Sequence, residues 1–409
     1  MEKVKNVPSL RFPEFNGEWE VKKLGEVANF KVTNSFSREN LNYEIGKVKN
    51  IHYGDIHTKF QTLFDITKEE VPFINEGISI NKISDDFYCK EGDIVFADAS
   101  EDLNDVGKSV EIVNLNDEKL LSGLHTLLAR PIKNTFKLGF NGYLLKSNSI
   151  RMQIQKEAQG SKVLSINVGR ISNIQLTFPS LPEQQKIASF LTAVDEKLQA
   201  LKQKKTLLEQ YKKGVMQQIF SQELRFKDDN GNDFADWEER KVKDIFTVTR
   251  GNVLSMTLVN EKQNDINMYP VYSSQTKNNG LSGYFSKYLF EDCITWTTDG
   301  AGAGDVNFRK GKFYCTNVCG VLKSDKGYAN IFVAEILNAI SRKYVSYVGN
   351  PKLMNNVMAE ISISIPKSIE EQTKISNFLS AIDDKLNHCQ EQISKLEVWK
   401  KGLLQGVFC

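Results

Sequence analysis

The stretch Glu183-Gln-Gln-Lys-Ile-Ala-Ser-Phe-Leu-Thr-Ala-Val-Asp-Glu-Lys-Leu198 occurs a second time as Glu371-Gln-Thr-Lys-Ile-Ser-Asn-Phe-Leu-Ser-Ala-Ile-Asp-Asp-Lys-Leu386. Ten of the sixteen positions are identical. Each copy is preceded by a block with a shared opening, Leu10-Arg-Phe12 in the first half and Leu224-Arg-Phe226 in the second. A repeat of this length indicates a tandem duplication in which each half is a variable block followed by a matching helix.

Bulk composition limits the class of protein. A chain of 409 residues is long enough for two globular domains with connecting helices. The 53 Lys and Arg residues nearly balance 51 Asp and Glu residues, which neither excludes nor favours a nucleic-acid partner. No apolar run reaches the ~20 residues of a membrane span, and no secretory signal is visible at the start. Six scattered cysteines are typical of a reducing compartment, so we expect a cytoplasmic protein.

The repeated segments predict two long helices that pair with each other. Their apolar residues are spaced alternately four and three apart, as along a coiled-coil seam. Neither helix can leave such a stripe in water, and the simplest partner is the other copy, antiparallel and related by an internal twofold axis that brings the two ends of the chain together. The alternative is two independent amphipathic helices, each packed on its own domain. The predicted interface is Ile187, Leu191, Val194, Leu198, Leu201, Leu208, Ile375, Leu379, Ile382, Leu386, Ile393 and Leu396.

The fold class predicted is α+β, with two mixed α/β domains and the two long helices. Short strand-like runs broken by Gly, Asn and Ser fill both blocks, and a helix is expected over 329–343. The predicted boundaries are 1–178 for the first domain, 179–221 for the first helical region, 222–366 for the second domain and 367–409 for the second helical region. Pro179 and Pro182 are expected just before the first helix.

Motifs that would carry catalysis are weak. The glycine-rich run Thr298–Asp305 resembles a nucleotide-binding loop, but the residues after it predict a hairpin rather than a helix, so a hairpin or DNA-facing loop is favoured. Cys315 and Cys319 lie in one apolar strand-like run, which favours structural thiols over zinc. His52 and His57 are spaced closely enough to be considered as metal ligands, although a histidine in a polar loop is more often exposed or in contact with a base.

Polar loops in the two blocks are candidates for reading DNA. Amides, hydroxyls and imidazoles make directional contacts to base edges, whereas Lys and Arg bind phosphate or guanine. Any one of these residues could equally be an ordinary solvated loop residue. The candidates in the first block are Asn50, His52, Tyr53, His57, Lys108, Lys162 and Arg170. Those in the second are Ser273, Ser274, Gln275, Lys277, Asn278, Asn279, Thr298, Arg309, Lys310 and Lys352.

The duplicated helical motif, together with Trp19-Glu-Val-Lys-Lys-Leu and Trp237-Glu-Glu-Arg-Lys-Val, resembles the specificity subunits of type I restriction–modification systems. The resemblance covers nearly the whole chain, in the order recognition domain, helix, recognition domain, helix. It implies a non-catalytic subunit whose two target recognition domains each read one half of an asymmetric bipartite site in double-stranded DNA, while the helices set the spacer. It also implies two modification (methyltransferase) subunits and ATP-dependent restriction subunits as partners. This chain would then bind no cofactor or metal of its own, and S-adenosylmethionine, ATP and Mg²⁺ would belong to the partners.

Two other functions are considered. A stand-alone DNA methyltransferase with two recognition domains would need a cofactor domain in which a strand, a glycine loop and a helix follow one another. A coiled-coil scaffold that joins two protein-binding domains would not bind DNA at all.

Overall fold

The computed structural model describes residues 6–409 and divides into two compact units. Unit 1 ends at Lys202 and also takes in Glu391–Cys409, whereas unit 2 is Gln203–Gln390. Both boundaries fall inside long helices. The units therefore differ from the predicted domains, because each half-helix buries its apolar face in the core of the unit to which it belongs.

Unit 1 contains a five-stranded sheet, a four-stranded sheet and two two-stranded ribbons. The strands are β1 (Glu20–Lys23), β2 (Ala28–Lys31), β3 (Leu41–Asn42), β4 (Lys49–Ile51), β5 (Leu63–Asp65), β6 (Phe73–Ile74), β7 (Ile94–Ala97), β8 (Ala99–Ser100), β9 (Ser109–Asn114), β10 (Leu120–Ser122), β11 (Thr126–Pro131), β12 (Leu164–Ser165) and β13 (Gln175–Phe178). The orders are β2-β11-β7-β9-β5 and β10-β4-β6-β3, and the ribbons are β1-β13 and β12-β8. The pairs β5-β9 and β4-β10 are parallel, and the others in unit 1 are antiparallel.

The helices that begin in unit 1 are α1 (Leu24–Val27), α2 (Tyr53–Thr58), α3 (Phe140–Leu144), α4 (Asn148–Glu157), α5 (Val168–Ile171) and α6 (Leu181–Phe220). Helix α6 is 40 residues long and starts at Leu181. Pro182 therefore lies in its first turn and not before the helix as predicted, at a position where the missing N–H removes no helical hydrogen bond.

Unit 2 is built around one six-stranded sheet in the order β15-β20-β18-β19-β16-β17, with a ribbon β14-β21. Its strands are β14 (Glu238–Lys241), β15 (Thr247–Arg250), β16 (Tyr269–Tyr272), β17 (Leu281–Phe285), β18 (Phe290–Thr297), β19 (Val306–Cys315), β20 (Cys319–Lys323) and β21 (Ser362–Ile365). Its helices are α7 (Val242–Ile245), α8 (Ile331–Ile340), α9 (Asn355–Glu360) and α10 (Ile369–Val407). The mixed α/β class, the hairpin after the glycine-rich run and the helix near 329–343 are confirmed. The single run predicted around Cys315 and Cys319 is wrong, since a turn at 316–318 separates two strands.

Within unit 1, the first half of α6 packs against the last part of α10. Ile187 and Leu191 share a buried core with Leu403 and Val407. Lys202 Nζ lies 2.7 Å from a carboxylate oxygen of Glu397. Residue numbers rise along one helix as they fall along the other, so the two segments are antiparallel.

Within unit 2, the same arrangement is formed by the other halves. Val215 and Ile219 of α6 share a core with Leu379 and Ile375 of α10. The predicted antiparallel pairing is thus confirmed inside each unit. The alternative also describes part of the structure, because these same residues pack on the sheet domain of their unit.

The start and end of the described chain meet in unit 1. The Leu10 N–H donates to the Gly406 carbonyl at 2.8 Å. In unit 2, where the chain runs on without a break, the Leu224 N–H donates to the Gln218 carbonyl at 3.0 Å. The predicted closure of the duplication on itself is therefore confirmed, because a contact between the two chain ends in unit 1 corresponds to a connection in unit 2.

An arginine–glutamate pair fixes the opening segment of each block on its helix. Arg11 donates two hydrogen bonds of 2.7 Å to the buried Glu183 carboxylate at the start of α6. Arg225 donates to the buried Glu371 carboxylate at the start of α10, with a shortest distance of 3.0 Å. We call these two pairs the clamps. A forked guanidinium suits this bidentate geometry, and the carboxylate also lies where a helix N-terminus favours negative charge.

No helix within residues 6–409 combines the length and the apolar character needed to cross a membrane.

Candidate nucleic-acid interface

In unit 1, the predicted residues His52, Tyr53 and His57 lie on and beside helix α2. His52 is the N-cap, and its Nδ1 accepts from the Gly54 N–H at 3.2 Å. Since Nδ1 is an acceptor, the neutral ring carries its proton on Nε2. Burial, followed by the nearby positive charge of Arg38, lowers the pKa of His52, which keeps this ring neutral.

Arg38 holds helix α2 in position from the preceding turn. Its guanidinium donates to both oxygens of the buried Asp55 carboxylate at 2.9 and 3.0 Å. Its Nη2 is also 3.2 Å from His52 Nδ1. The α2 surface is therefore rigid before any ligand binds, which lowers the entropy cost of recognition.

Tyr53 lies at the centre of an imidazole cluster. Its ring centroid is 4.6 Å from that of His52, 5.8 Å from His57 and 5.3 Å from His125. The His57 Nε2 donates to the Ala99 carbonyl at 3.0 Å, whereas its buried Nδ1 has no partner. An aromatic ring surrounded by imidazoles can offer both stacking faces and directional hydrogen bonds to nucleic acid.

His125 was missing from the candidate set. It follows β10 in the left-handed region with φ 54°, and half of its side chain is exposed. Its Nδ1 lies 3.2 Å from Asp98, a carboxyl group whose pKa is raised by burial. Nothing in the local sequence distinguishes this loop histidine, since its contact with Tyr53 comes from the tertiary fold.

The predicted cations of unit 1 differ in their surroundings. Lys108 donates to the His57 carbonyl at 2.5 Å and so anchors helix α2 from beneath. Arg170 pairs with Glu157 at 3.2 Å and is half-buried. Lys162 is exposed and is the one best placed for a phosphate.

Asn50 does not belong to the exposed surface. It is fully buried in β4, and its Oδ1 accepts from Asn34 Nδ2 at 2.7 Å. A side chain with no exposure cannot reach a base edge, so the prediction of a direct DNA contact at Asn50 is corrected to a supporting role.

In unit 2, the predicted polar loop is an exposed 3₁₀ turn, Lys277–Gly280. Asn278 and Asn279 both adopt positive φ, at 51° and 50°, a region that Asn tolerates better than most residues. Four side chains of this stretch are exposed: Gln275, Lys277, Asn278 and Asn279. Ser274 is half-buried, and Ser273 is tied to the sheet because its hydroxyl accepts from Thr316 at 2.9 Å. The loop thus presents amides and a cation from a fixed base.

Arg309 of β19 lies behind this loop and is ordered by three contacts. Its guanidinium carbon is 3.8 Å from the Tyr272 ring centroid. Its Nε donates to the Thr295 hydroxyl at 3.0 Å, and its Nη2 donates to the Asn279 carbonyl at 2.6 Å. Burial lowers the pKa of Arg309 from its ordinary value, but an arginine remains charged under physiological conditions.

The remaining predicted residues of unit 2 lie at different depths. Lys310 and Lys352 are exposed, and Lys352 Nζ lies 3.9 Å from Asp299. Thr298 is fully buried, and its hydroxyl donates to the Val318 carbonyl at 2.9 Å. Its predicted DNA contact is corrected for this reason. The glycine-rich run after it joins the antiparallel strands β18 and β19, a geometry without the helix N-terminus that a phosphate cradle uses.

The candidate metal ligands are not assembled into a site. Cys315 and Cys319 are buried beside Phe313 and Val321 in a small apolar cluster. Within residues 6–409 no group of three or more His, Cys, Asp or Glu side chains is arranged to hold a metal ion.

The predicted helix-interface residues divide between the two units. In unit 1, Ile187, Leu191, Val194, Leu198 and Ile393 are buried, and Leu201 and Leu396 are half-buried. In unit 2, Ile375, Leu379 and Ile382 are buried, and Leu208 and Leu386 are half-buried. All twelve are at least partly covered, which the seam spacing requires.

Two buried titratable groups in unit 1 were not predicted. Glu111 of β9 accepts backbone N–H groups of Gly139 and Gly142 at 2.8 and 2.7 Å, and burial raises its pKa to about 7. Lys146 donates to the Thr62 hydroxyl at 2.5 Å, and burial lowers its pKa to about 8. Both groups lie where sheet strands and helices meet, so they tie the recognition sheet to the helical part.

Comparison with known proteins identifies the family. The profile described as the type I restriction modification DNA specificity domain matches residues 16–210 and 235–398. A protein of Mycoplasma pneumoniae named as a type I specificity subunit is 34% identical over 244 residues, which cover 58% of this chain and 92% of the relative. The MjaX specificity subunit of Methanocaldococcus jannaschii is 26% identical over 98% of this chain and 95% of its own length.

A solved structure has the same fold. The crystal structure of the type I restriction–modification S subunit from M. genitalium matches with a TM-score of 0.67 at 18% identity, covering 98% of this chain and 99% of that one. The family profile covers most of both halves, in agreement with the duplicated helix and the two units. The chain therefore belongs to the type I restriction modification DNA specificity domain family.

Proposed function

We propose that this protein is the DNA-specificity subunit of a type I restriction–modification complex and that each unit reads one half of a bipartite site. The observation that carries the proposal is the match of the family profile to both halves. The two units have the same clamp and helix pairing but different exposed polar sets. A frame of this kind holds two unlike readers, so the target is asymmetric.

The subunit itself is non-catalytic in this proposal. The glycine-rich run, the one stretch resembling a cofactor loop, is a β-hairpin connection. S-adenosylmethionine, ATP and Mg²⁺ belong to the partner subunits, which supply methyl transfer and restriction. The long helices offer exposed apolar side chains for two modification subunits: Leu207 and Tyr211 on the unit 2 segment of α6, and Val398 and Trp399 on the unit 1 segment of α10.

Double-stranded DNA is the substrate class that suits the exposed groups. The α2 surface of unit 1 presents imidazole and phenol groups, whereas the loop of unit 2 presents amides and a lysine. If both units meet the same face of B-DNA, the half-site centres lie about 10 bp apart. Seam residues set that spacing, so inserting one heptad into either helix is expected to change the spacer or abolish assembly.

Mapping methylated adenines in DNA from cells that express the complete complex tests this proposal. We expect one asymmetric motif with two specific halves and an unread spacer. Expression with this chain omitted is the control, and it should leave the DNA unmodified at that motif. Transfer of labelled methyl groups to DNA by this purified chain alone would establish the methyltransferase alternative instead. DNA binding that is independent of sequence and partners would favour the scaffold.

A further inference from the structure

A small polar cavity lies beside the exposed loop of unit 2. Its volume is about 180 Å³. The lining residues come from the loop, from the adjoining ends of β18 and β19 and from helix α8. The side chains with hydrogen-bonding groups used below are Thr297, Asp305, Asn307, Arg309 and Asn338.

Arg309 forms a preorganised wall of this cavity. One face of its guanidinium lies against the Tyr272 ring, and Nε and Nη2 already donate to Thr295 and Asn279. Its Nη1 makes no hydrogen bond or ion pair within residues 6–409. The guanidinium therefore has a free donor edge and is held rigid without a ligand, so little side-chain entropy is lost on binding.

The size and polarity of the cavity match a single aromatic ring with polar substituents. An apolar cavity of about 150 Å³ accommodates benzene, so a space of 180 Å³ accommodates a six-membered ring with its exocyclic groups. Asp305, which pairs with Arg342 at 2.5 Å, places a carboxylate in the lining and disfavours a phosphate. Asn307 adds an amide that can both donate and accept.

We propose that this cavity receives one unstacked pyrimidine from the DNA half-site read by unit 2. The inference rests on the proposed function. Side chains that line a concavity cannot reach the edge of a base that remains stacked in the groove, whereas a base turned out of the helix presents its edge to such a pocket. Arg309 donates to a carbonyl oxygen of the pyrimidine, and the Tyr272–Arg309 stack extends to the base plane.

The test probes base unstacking in the complete complex bound to its mapped DNA site. Permanganate oxidises unstacked thymine and hydroxylamine attacks unpaired cytosine, so these two reagents report the pyrimidine directly. We expect one hyperreactive pyrimidine in the half-site whose recognition is altered by Asn278→Ala, a loop change outside the cavity. Arg309→Ala and the cavity-filling Asn307→Leu should each remove the hyperreactivity and weaken specific binding about tenfold. Lys287→Ala, which removes an exposed cation elsewhere in unit 2, should change neither.

The outcomes separate this inference from the function on which it rests. Sequence-specific binding without a hyperreactive pyrimidine overturns the cavity proposal and leaves the proposed function intact. Hyperreactivity that persists in both Arg309→Ala and Asn307→Leu also overturns it, because the base would then be unstacked without being held here. Loss of sequence specificity in the unmodified complex would overturn the proposed function itself.

Discussion

Unit 1 and unit 2 hold their helix segments by matching contacts but build unlike sheets. The clamp pairs occupy corresponding positions of the duplicated segments, as do Asp195–Lys400 in unit 1 and Lys212–Asp383 in unit 2. The sheets have five and four strands in unit 1 but six in unit 2. The comparison shows that sequence is retained where side chains contact the paired helices, while the recognition sheets differ.

The units also differ in their buried charge. Beneath its recognition surface, unit 1 buries the carboxylates of Asp55, Asp93 and Glu111. The first two are paired with arginines and the third with backbone N–H groups. In unit 2, Glu371 of the clamp is the one buried acid among the described residues. Stability of unit 1 should therefore depend more on charge and pH.

The largest expected effect comes from breaking the clamps. Glu371→Ala leaves Arg225 without its carboxylate, and loss of one partner of a buried pair costs about 3–5 kcal/mol. Glu371 also accepts from Trp237 Nε1 at 3.3 Å, whereas Trp19 Nε1 has no partner in unit 1. Glu371→Ala should therefore cost about 1 kcal/mol more than Glu183→Ala.

Denaturant unfolding followed by hydrogen exchange in each unit measures this difference. The exposed pair Arg240–Glu238 supplies the control, since Arg240→Ala should cost less than about 1 kcal/mol. A loss of control size for both clamp variants would show that the clamps do not hold the frame.

The second prediction concerns Glu111 and the pH dependence of unit 1. Its folded pKa of about 7 lies above the ordinary value of 4.5, so the folded state binds the proton more tightly. Stability from this group is greatest below pH 4.5, falls as the pH rises to about 7 and then levels off, by up to about 3 kcal/mol in all.

Thermal melting of the wild type and Glu111→Gln between pH 4.5 and 8 tests that sign. The variant should lose this decline while retaining a side chain of nearly the same shape. Hydrogen exchange should place the wild-type decline in unit 1. A wild-type protein that instead becomes more stable relative to Glu111→Gln as the pH rises would contradict the prediction, because the backbone donors would then outweigh burial.

The third prediction compares the two central lysines. Lys212 bridges Asp383 and Glu335, each at 2.7 Å, so Lys212→Met leaves two carboxylates facing each other. Lys400 pairs with Asp195, which also accepts from the Tyr143 hydroxyl at 3.0 Å and therefore keeps one partner in Lys400→Met. We expect Lys212→Met to cost about 2 kcal/mol more than Lys400→Met.

Urea unfolding of the two variants gives this difference. Adding Asp383→Asn to Lys212→Met should recover part of the loss, because it removes one of the unpaired charges. Equal costs for the two single variants would mean that Glu335 contributes nothing to the frame.

The contrast between frame and sheets also explains what could be predicted from sequence. Seam residues such as Ile187 and Ile375 were found because helical spacing is a local signal that repeats. The burial of Asn50 and Thr298 was missed because a polar residue at a strand end can face either side, and only the neighbouring elements decide which. The contact of His125 with Tyr53 joins two distant loops, for which a single sequence has no local signal.

The smallest expected effect, and the most direct comparison of the two readers, comes from one exposed side chain in each unit. His125→Ala removes an imidazole beside Tyr53 in unit 1, and Gln275→Ala removes an amide from the loop of unit 2. Loss of one directional base contact is worth about 1–3 kcal/mol, and both side chains are exposed enough for the folds to persist. Binding of the complete complex to DNA with single changes in either half-site should therefore show relaxed specificity in one half for each variant, and in opposite halves. Relaxation of both halves by either change would mean that the two units read DNA as one surface, since independent readers cannot transmit a local loss to the other half-site.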